Sequence, residues 1–82
     1  MKKKYQKILE VVGIERLNNS YLGNPKYYLF LQDEQGEYYR GKTATNASIG
    51  YFLGWESQGK KYLFDFHETS KGNLIFDIAR KI

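Results

Sequence analysis

Two short stretches decide the predicted fold: Tyr27-Tyr28-Leu29-Phe30-Leu31 and, after a turn, Tyr38-Tyr39-Arg40-Gly41-Lys42. Successive side chains of a β-strand point to opposite faces of its sheet, so residues two apart share a face. If the stretches pair as two strands, aliphatic groups occupy one face and rings and cations occupy the other. The second face then carries Tyr28, Phe30, Tyr38, Arg40 and Lys42. Such a surface is typical of sites that stack nucleobases or anchor a protein partner.

Alternating apolar residues and turn residues extend this pair to five predicted strands. They are Tyr5–Leu17, Lys26–Gln32, Glu37–Thr43, Lys61–His67 and Leu74–Arg80. In the first strand the alternation changes phase near Gly13, which indicates a bulge or a bend. A helix over Lys3–Val12 is the alternative there. In the fifth strand, Leu74, Phe76 and Ile78 are predicted to face inward.

The sequence period changes from two to about 3.6 between the third and fourth strands. The apolar stripe of the predicted helix consists of Ile49, Phe52 and Leu53. Thr45 or Asn46 is expected to cap its start, and Gly54 to end it in the left-handed conformation. Tyr51 and Trp55 flank the helix and are predicted to be packing residues.

The element order predicts a mainly β fold. It is a small five-stranded antiparallel barrel of OB-like type, with one short helix between strands three and four. An SH3-like barrel and an open antiparallel sheet with one helix remain alternatives. At 82 residues the chain is predicted to form a single domain over 1–82, with residues 1–4 as a basic tail.

The charge is concentrated at the start of the chain. The formal net charge is +4, and Lys2, Lys3 and Lys4 carry three of those charges. The remaining residues, Tyr5 to Ile82, contain 10 basic and 9 acidic side chains and net +1. The tail could steer the protein toward nucleic acid, or simply be a solvated terminus.

The residue inventory argues against an enzyme. The chain has no cysteine, and its only histidine, His67, is predicted to be solvated or to pin a loop. The serines lack a nucleophile-elbow context, and the glycines lack the lysine spacing of a phosphate-binding loop. We predict no catalytic residue, no cofactor and no metal site.

One carboxylate pair needs an explanation. If Phe66 pairs with Phe76, then Asp65 directly faces Asp77 on the outer surface. Opposed like charges destabilise a sheet. A neighbouring Lys or Arg, a divalent ion, or a register shifted by two would each remove the conflict.

The candidate binding residues lie on strands two and three and on two loops. In OB-folds the corresponding face, with the loops joining strands one to two and four to five, binds oligonucleotides. Here the loops would add Tyr21, Lys26 and Lys71 to the rings and cations of the face. The alternative is that a loop or terminus covers the face, so that its rings belong to the core.

Two further stretches carry a family resemblance. Asn19-Ser20-Tyr21-Leu22-Gly23-Asn24-Pro25-Lys26-Tyr27 and Thr43-Ala44-Thr45-Asn46-Ala47-Ser48-Ile49-Gly50-Tyr51 resemble small uncharacterised proteins of bacterial phages and mobile elements. Those proteins share the pattern N-S, G-N-P-[RK]-Y and a later D-A-S-x-x-Y, where this chain has Asn46 in place of Asp. The resemblance implies a phage or mobile-element origin and no particular activity.

The function predicted from the sequence is that of a non-catalytic binding module. The leading hypothesis is binding of single-stranded DNA or RNA through the strand two and three face. A protein-interaction module, such as a phage-encoded inhibitor of a host protein, is the alternative, because tyrosine is frequent at interfaces and the body is nearly neutral. A homo-oligomer is a third alternative. No apolar run is long enough to span a membrane, and a cytoplasmic location is expected.

Overall fold

The computed structural model describes residues 3–45 and 48–82 and shows all five predicted strands. The strands are β1 (Lys3–Arg16), β2 (Tyr27–Gln32), β3 (Tyr38–Thr43), β4 (Lys61–Glu68) and β5 (Leu74–Arg80). Between β3 and β4 lie the helix α1 (Ile49–Phe52) and a 3₁₀ turn (Trp55–Ser57). The expected cap at Asn46 and the tail residue Lys2 lie outside the described residues. The predicted basic tail is wrong for Lys3 and Lys4, which begin β1 opposite Glu68 and His67 of β4.

The strands close into a five-stranded barrel in the order β1-β2-β3-β5-β4, with β4 returning to β1. A mainly β chain whose five strands close into a barrel with one short helix is consistent with the predicted OB-like class. Closure shows that the open-sheet alternative is wrong. The fully antiparallel arrangement is also wrong at one place, because β3 pairs with β5 in parallel over Gly41–Thr43 and Leu74–Phe76.

The first strand bends because it carries one extra residue. Val11 is opposite Leu31 and Gly13 is opposite Phe30, so Val12 has no partner of its own on β2. This confirms the predicted bulge and excludes the helix alternative. The bend lets β1 pair with β4 over its first half and with β2 over its second half.

The barrel interior is filled by the inward side chains of every strand. The buried apolar residues are Leu9, Val11, Ile14, Tyr27, Leu29, Leu31, Ile49, Leu53, Tyr62, Phe64, Phe66, Phe76 and Ala79. In β2 and β3 the odd-numbered residues are buried or half-buried, as the alternation predicts. Several of these residues are large aromatic rings, so a short chain can fill the barrel. The rings of Phe64 and Phe76, for example, meet edge to face with their centroids 5.8 Å apart.

A second bulge changes which side chains of β5 face inward. Phe66 is opposite Phe76, but Asp65 is opposite Ile78, so Asp77 is the extra residue. The predicted inward position of Ile78 is therefore wrong. Ile78 is 40% exposed, and Ala79 takes the buried position instead.

The helix α1 closes one end of the barrel with Ile49 and Leu53, both buried. Its first turn follows Ser48, whose carbonyl accepts the N–H groups of Tyr51 and Phe52. Gly54 has φ −165°, an extended conformation, so the predicted left-handed ending is wrong.

Thr45 serves as an anchor for the loop before β2 rather than as a helix cap. Its carbonyl accepts Ser20 Oγ at 3.0 Å and Asn24 Nδ2 at 2.9 Å. Gly50 lets the helix approach this loop, because a Cβ there would lie 2.0 Å from the Pro25 carbonyl oxygen. The loop is therefore bonded to the segment that follows β3 and packs closely against the helix.

The β2–β3 turn, at the end of β3 away from α1, is organised by Asp33. Asp33 Oδ1 accepts the N–H groups of Gln35 and Glu37, both at 2.9 Å, and Oδ2 accepts the Tyr39 hydroxyl at 3.0 Å. Burial alone would raise the pKa of Asp33, but these hydrogen bonds and the Lys7 charge together hold it below its ordinary value. Burial, and then the bond to Asp33, raises the pKa of Tyr39.

Candidate nucleic-acid interface

The outward side chains of β2 and β3 form two adjacent pairs of a ring and a cation. Tyr28 is opposite Lys42, and Phe30 is opposite Arg40. The Ala44 N–H donates to Phe76 on β5, so by alternation the main-chain groups of residues 40 and 42 also point away from β2. Both pairs are therefore non-hydrogen-bonded, the type whose side chains approach most closely.

The rings of this face are supported from below. The centroids of Tyr28 and Phe30 lie 5.1 Å apart with an interplanar angle of 64°. Gly13 on β1 leaves space for Phe30, since an added Cβ at Gly13 would lie 3.3 Å from its Cδ2 atom. Gly13, at the bulge that bends β1, is thus also the residue against which the Phe30 ring packs.

The face is open rather than covered. Phe30 is 39% exposed and Tyr38 is 72% exposed, while Tyr28 is half-buried. Arg40 and Lys42 are exposed as well. We call these five residues the ring–cation face. The alternative in which its rings belong to the core is wrong.

The cations of the ring–cation face have no acidic partner. Across residues 3–45 and 48–82, no carboxylate lies within 4.0 Å of Arg40 or Lys42. Glu15 on β1 is opposite Tyr28 and is the acidic residue next in register. The positive charge of the face is therefore available to an external anion.

The charges on the barrel surface formed by β1, β4 and β5 are arranged differently. Asp65 accepts a hydrogen bond from Gln6 Nε2 at 2.8 Å and forms a salt bridge with Arg80, whose Nη1 atom lies 2.9 Å from Oδ2. His67 Nδ1 lies 2.7 Å from Asp77 Oδ2, with a side chain only 17% exposed. We call these five residues the paired-charge face.

The Asp65 and Asp77 conflict is resolved by the bulge in β5. A single extra residue, rather than a register shift of two, separates the carboxylates. The expected neutralisation by a neighbouring Lys or Arg is confirmed for Asp65, which pairs with Arg80, while Asp77 lies beside His67. His67 binds a strand residue, so the prediction of a solvated or loop-pinning histidine is wrong. No group of three or more potential metal-binding side chains gathers anywhere in the described part of the chain.

A groove of about 660 Å³ runs along the edge of β3 beside the ring–cation face. The strand side is formed by Tyr28 and residues 38–42, and the opposite side by Thr69, Gly72, Asn73, Leu74 and Ile75. We call it the edge groove. Thr69, Asn73 and Ile75 line the groove but are not among the site residues that the sequence predicts, which include only Lys71 from this loop. Only the parallel β3–β5 pairing, which joins distant segments, brings these residues beside β3.

The remaining predicted site residues lie in the loops. Lys71 is exposed in the β4–β5 turn, next to residues that line the edge groove. Tyr21 and Lys26 belong to the loop that is bound to Thr45, and neither lines the edge groove. The structure therefore brings the five residues of the ring–cation face close to the β4–β5 turn, which contains Lys71. Tyr21 and Lys26 lie instead in the loop near the helix.

The helix end of the barrel exposes a second set of apolar side chains. Tyr51 and Trp55 are 66% and 64% exposed, so the prediction that they are packing residues is wrong. Tyr21 and Leu22 are 89% and 52% exposed on the neighbouring loop. We call these four residues the aromatic end.

The chain matches no protein-family profile, no curated protein and no solved structure. Within residues 3–45 and 48–82, none of the helices has the length and apolar character needed to cross a membrane.

Proposed function

We propose that this protein is a non-catalytic module that binds single-stranded nucleic acid through the ring–cation face. The observation that supports it is the pair of cross-strand contacts in which Tyr28 lies opposite Lys42 and Phe30 opposite Arg40. A ring binds a base by stacking, and a neighbouring cation binds the phosphate of the same strand. Two such pairs in succession suit two consecutive nucleotides.

Exposure and charge favour a single strand over a duplex. Bases stack on protein rings only when they are unpaired, and each stacked base contributes about 1–3 kcal/mol. Residues 3–82, which include Lys3 and Lys4 of β1, hold 12 basic and 9 acidic side chains, and their net charge of +3 is modest for a binder that relies on charge alone. Affinity should then depend on the rings as much as on the cations.

A titration of fluorescently labelled oligonucleotides at low salt tests the proposal. We expect the double substitution Tyr38→Ala and Arg40→Ala to weaken binding by tenfold or more. The matched control is Ile78→Ala with Arg80→Ala, which removes one apolar and one cationic side chain from β5. Absence of binding by the unmodified protein, or equal binding by both double variants, would refute the proposal.

A protein-interaction module is the second candidate, and the aromatic end favours it. Tryptophan and tyrosine are enriched at interaction hot spots, and hydrogen bonds to the Thr45 carbonyl anchor the loop of Tyr21 and Leu22 beside the helix. In this hypothesis the chain is a phage or mobile-element product that inhibits a host protein in the cytoplasm.

Affinity capture from a bacterial lysate, with and without nuclease, separates the two candidates. Recovery of one defined protein after nuclease treatment, lost on Tyr51→Ala with Trp55→Ala, would support the second. Capture that disappears with nuclease would support the first. Light scattering on the purified protein tests the third alternative, a homo-oligomer, by its mass.

A further inference from the structure

The edge groove exposes main-chain hydrogen-bonding groups of β3. Ala44 N–H donates to Phe76 on β5, whereas the Glu37 carbonyl accepts from Asp33 on the β2 side. Because main-chain direction alternates along a strand, the N–H and C=O groups of Tyr38 and Arg40 point toward β5.

The fifth strand begins too late to pair with all of these groups. Leu74, its first residue, is opposite Gly41, so residues 38–40 extend past it toward the β4–β5 turn. Within the described residues, neither the Arg40 N–H nor the Tyr38 N–H and C=O has a main-chain partner on that side. A short segment of strand edge therefore faces the groove with unused donors and acceptors.

The other surfaces of the edge groove complement these polar groups. Tyr28, Leu74 and Ile75 supply apolar area, while Asn73 and Thr69 place an amide and a hydroxyl on the opposite wall. The Thr69 Oγ1 atom already accepts the Asn73 N–H at 3.2 Å, so its own proton is free to be donated elsewhere. The Asn73 side chain is exposed, and it makes no hydrogen bond within residues 3–45 and 48–82.

A nucleobase has the matching distribution of polarity. Its two flat faces are apolar, and its edge carries donors and acceptors that asparagine side chains and main-chain groups can bind. The groove volume of about 660 Å³ lies within the usual range of small-molecule sites and is sufficient for one nucleotide.

We infer that the edge groove holds one base of the bound strand and distinguishes it from other bases through the main chain of Tyr38–Arg40 and the Asn73 amide. This inference rests on the proposed function and adds a base-selective position to a face that otherwise binds by stacking. Phosphates of the same nucleotides then lie near Arg40 and Lys42.

Base discrimination is measured with homo-oligomers of dT, dC and dA about 12 nucleotides long, at one salt concentration. We expect the unmodified protein to show a spread of about fivefold or more between the strongest and weakest Kd. Asn73→Ala should reduce the spread to about twofold, because only the side-chain amide is lost. The control Asn18→Ala, an exposed asparagine at the other loop, should preserve it.

The main-chain contribution is isolated by comparing Arg40→Ala with Arg40→Pro. Both remove the cation, but only proline removes the N–H. Since that N–H points away from β2, proline breaks no rung of the β2–β3 ladder. We expect Arg40→Ala to keep the spread and Arg40→Pro to reduce it, with folding checked by circular dichroism.

The outcomes separate the inference from the proposed function. Binding with no spread among the three oligomers, or a spread that survives Asn73→Ala, overturns the inference and leaves the proposed function standing. Failure of every oligomer to bind overturns both. If Arg40→Pro does not fold, the Asn73→Ala result decides alone.

Discussion

The ring–cation face and the paired-charge face lie on the same barrel but differ in whether their charged side chains have partners of opposite charge. On the paired-charge face, Asp65 contacts Arg80 and Gln6, and Asp77 contacts His67. On the ring–cation face, Arg40 and Lys42 stand beside rings, and no described carboxylate lies within salt-bridge distance.

This difference separates surface that serves the fold from surface that is open to a partner. Paired charges between strands satisfy one another and stabilise the barrel modestly. Unpaired cations beside exposed rings contribute nothing comparable to the folded state, yet they are the groups that bind phosphates and bases. The comparison therefore predicts that substitutions on the two faces affect different measurements.

The largest effect is expected at the β3–β5 seam, on which the geometry of the ring–cation face depends. A Cβ at Gly41 would lie 2.2 Å from the Leu74 carbonyl oxygen, so Gly41→Ala must displace main chain. We expect the free energy of unfolding, measured by urea denaturation, to fall by about 1–3 kcal/mol. The control is Gly13→Ala, where the new methyl group meets only the Phe30 side chain. Equal losses in the two variants would contradict the proposed constraint at the seam.

The next largest effect concerns the rings. Tyr28→Ala and Phe30→Ala should each weaken oligonucleotide binding by about tenfold, because each removes a stacking surface. Ile78→Ala removes an apolar group of similar exposure from β5 and should change the Kd less than about twofold. An equal effect of all three substitutions on affinity would remove the distinction between the faces.

The contribution of the two cations of the ring–cation face should be measurable from how oligonucleotide affinity depends on salt concentration. Arg40→Ala and Lys42→Ala are each expected to reduce the slope of log K against log salt by about 0.7, the value for one phosphate of a single strand. Arg80→Ala should leave the slope unchanged and lower stability by no more than about 1 kcal/mol. A reduced slope in Arg80→Ala would place phosphate contacts on the paired-charge face.

The smallest effect is expected at the Asp33 and Tyr39 pair. The lowered pKa of Asp33 means that its stabilising contribution is present above about pH 3.8 and is lost as pH falls through the lower folded value. The raised pKa of Tyr39 gives the opposite sign: its contribution is present below about pH 10 and is lost as pH rises through the higher folded value.

Thermal unfolding as a function of pH measures this effect. Tyr39→Phe keeps the ring but removes the hydroxyl, so both the alkaline and the acid dependence of stability should weaken. Oligonucleotide affinity at neutral pH should not change. An unchanged alkaline limb in Tyr39→Phe would show that another group produces it.

Most of the fold followed from local sequence patterns. Alternation placed β2, β3 and β4 correctly, and the phase change near Gly13 indicated the bulge in β1. The bulge at Asp77 was missed because the sequence Leu74–Ile78 alternates without interruption, and only the pairing with β4 reveals the extra residue. The predicted left-handed conformation of Gly54 is wrong because the chain is extended at Gly54 and continues directly into a 3₁₀ turn.

The candidate site was predictable only in part. The five residues of the ring–cation face followed from period two, since both strands are continuous in sequence. Asn73 and Thr69 depend on a parallel contact between distant strands, which no local pattern encodes. Tyr51 and Trp55 flank the predicted helix and were therefore expected to pack, but a helix of four residues is too short to bury them.

The central claim is tested most directly by titrating the isotopically labelled protein with a dT oligonucleotide and following its backbone amide signals by NMR. Binding through the ring–cation face predicts progressive shifts at Tyr28, Phe30, Arg40, Lys42 and Asn73, with little change at Gln6, Asp65 and Ile78. Shifts confined to the aromatic end or to the paired-charge face, or no shifts at all, would contradict it.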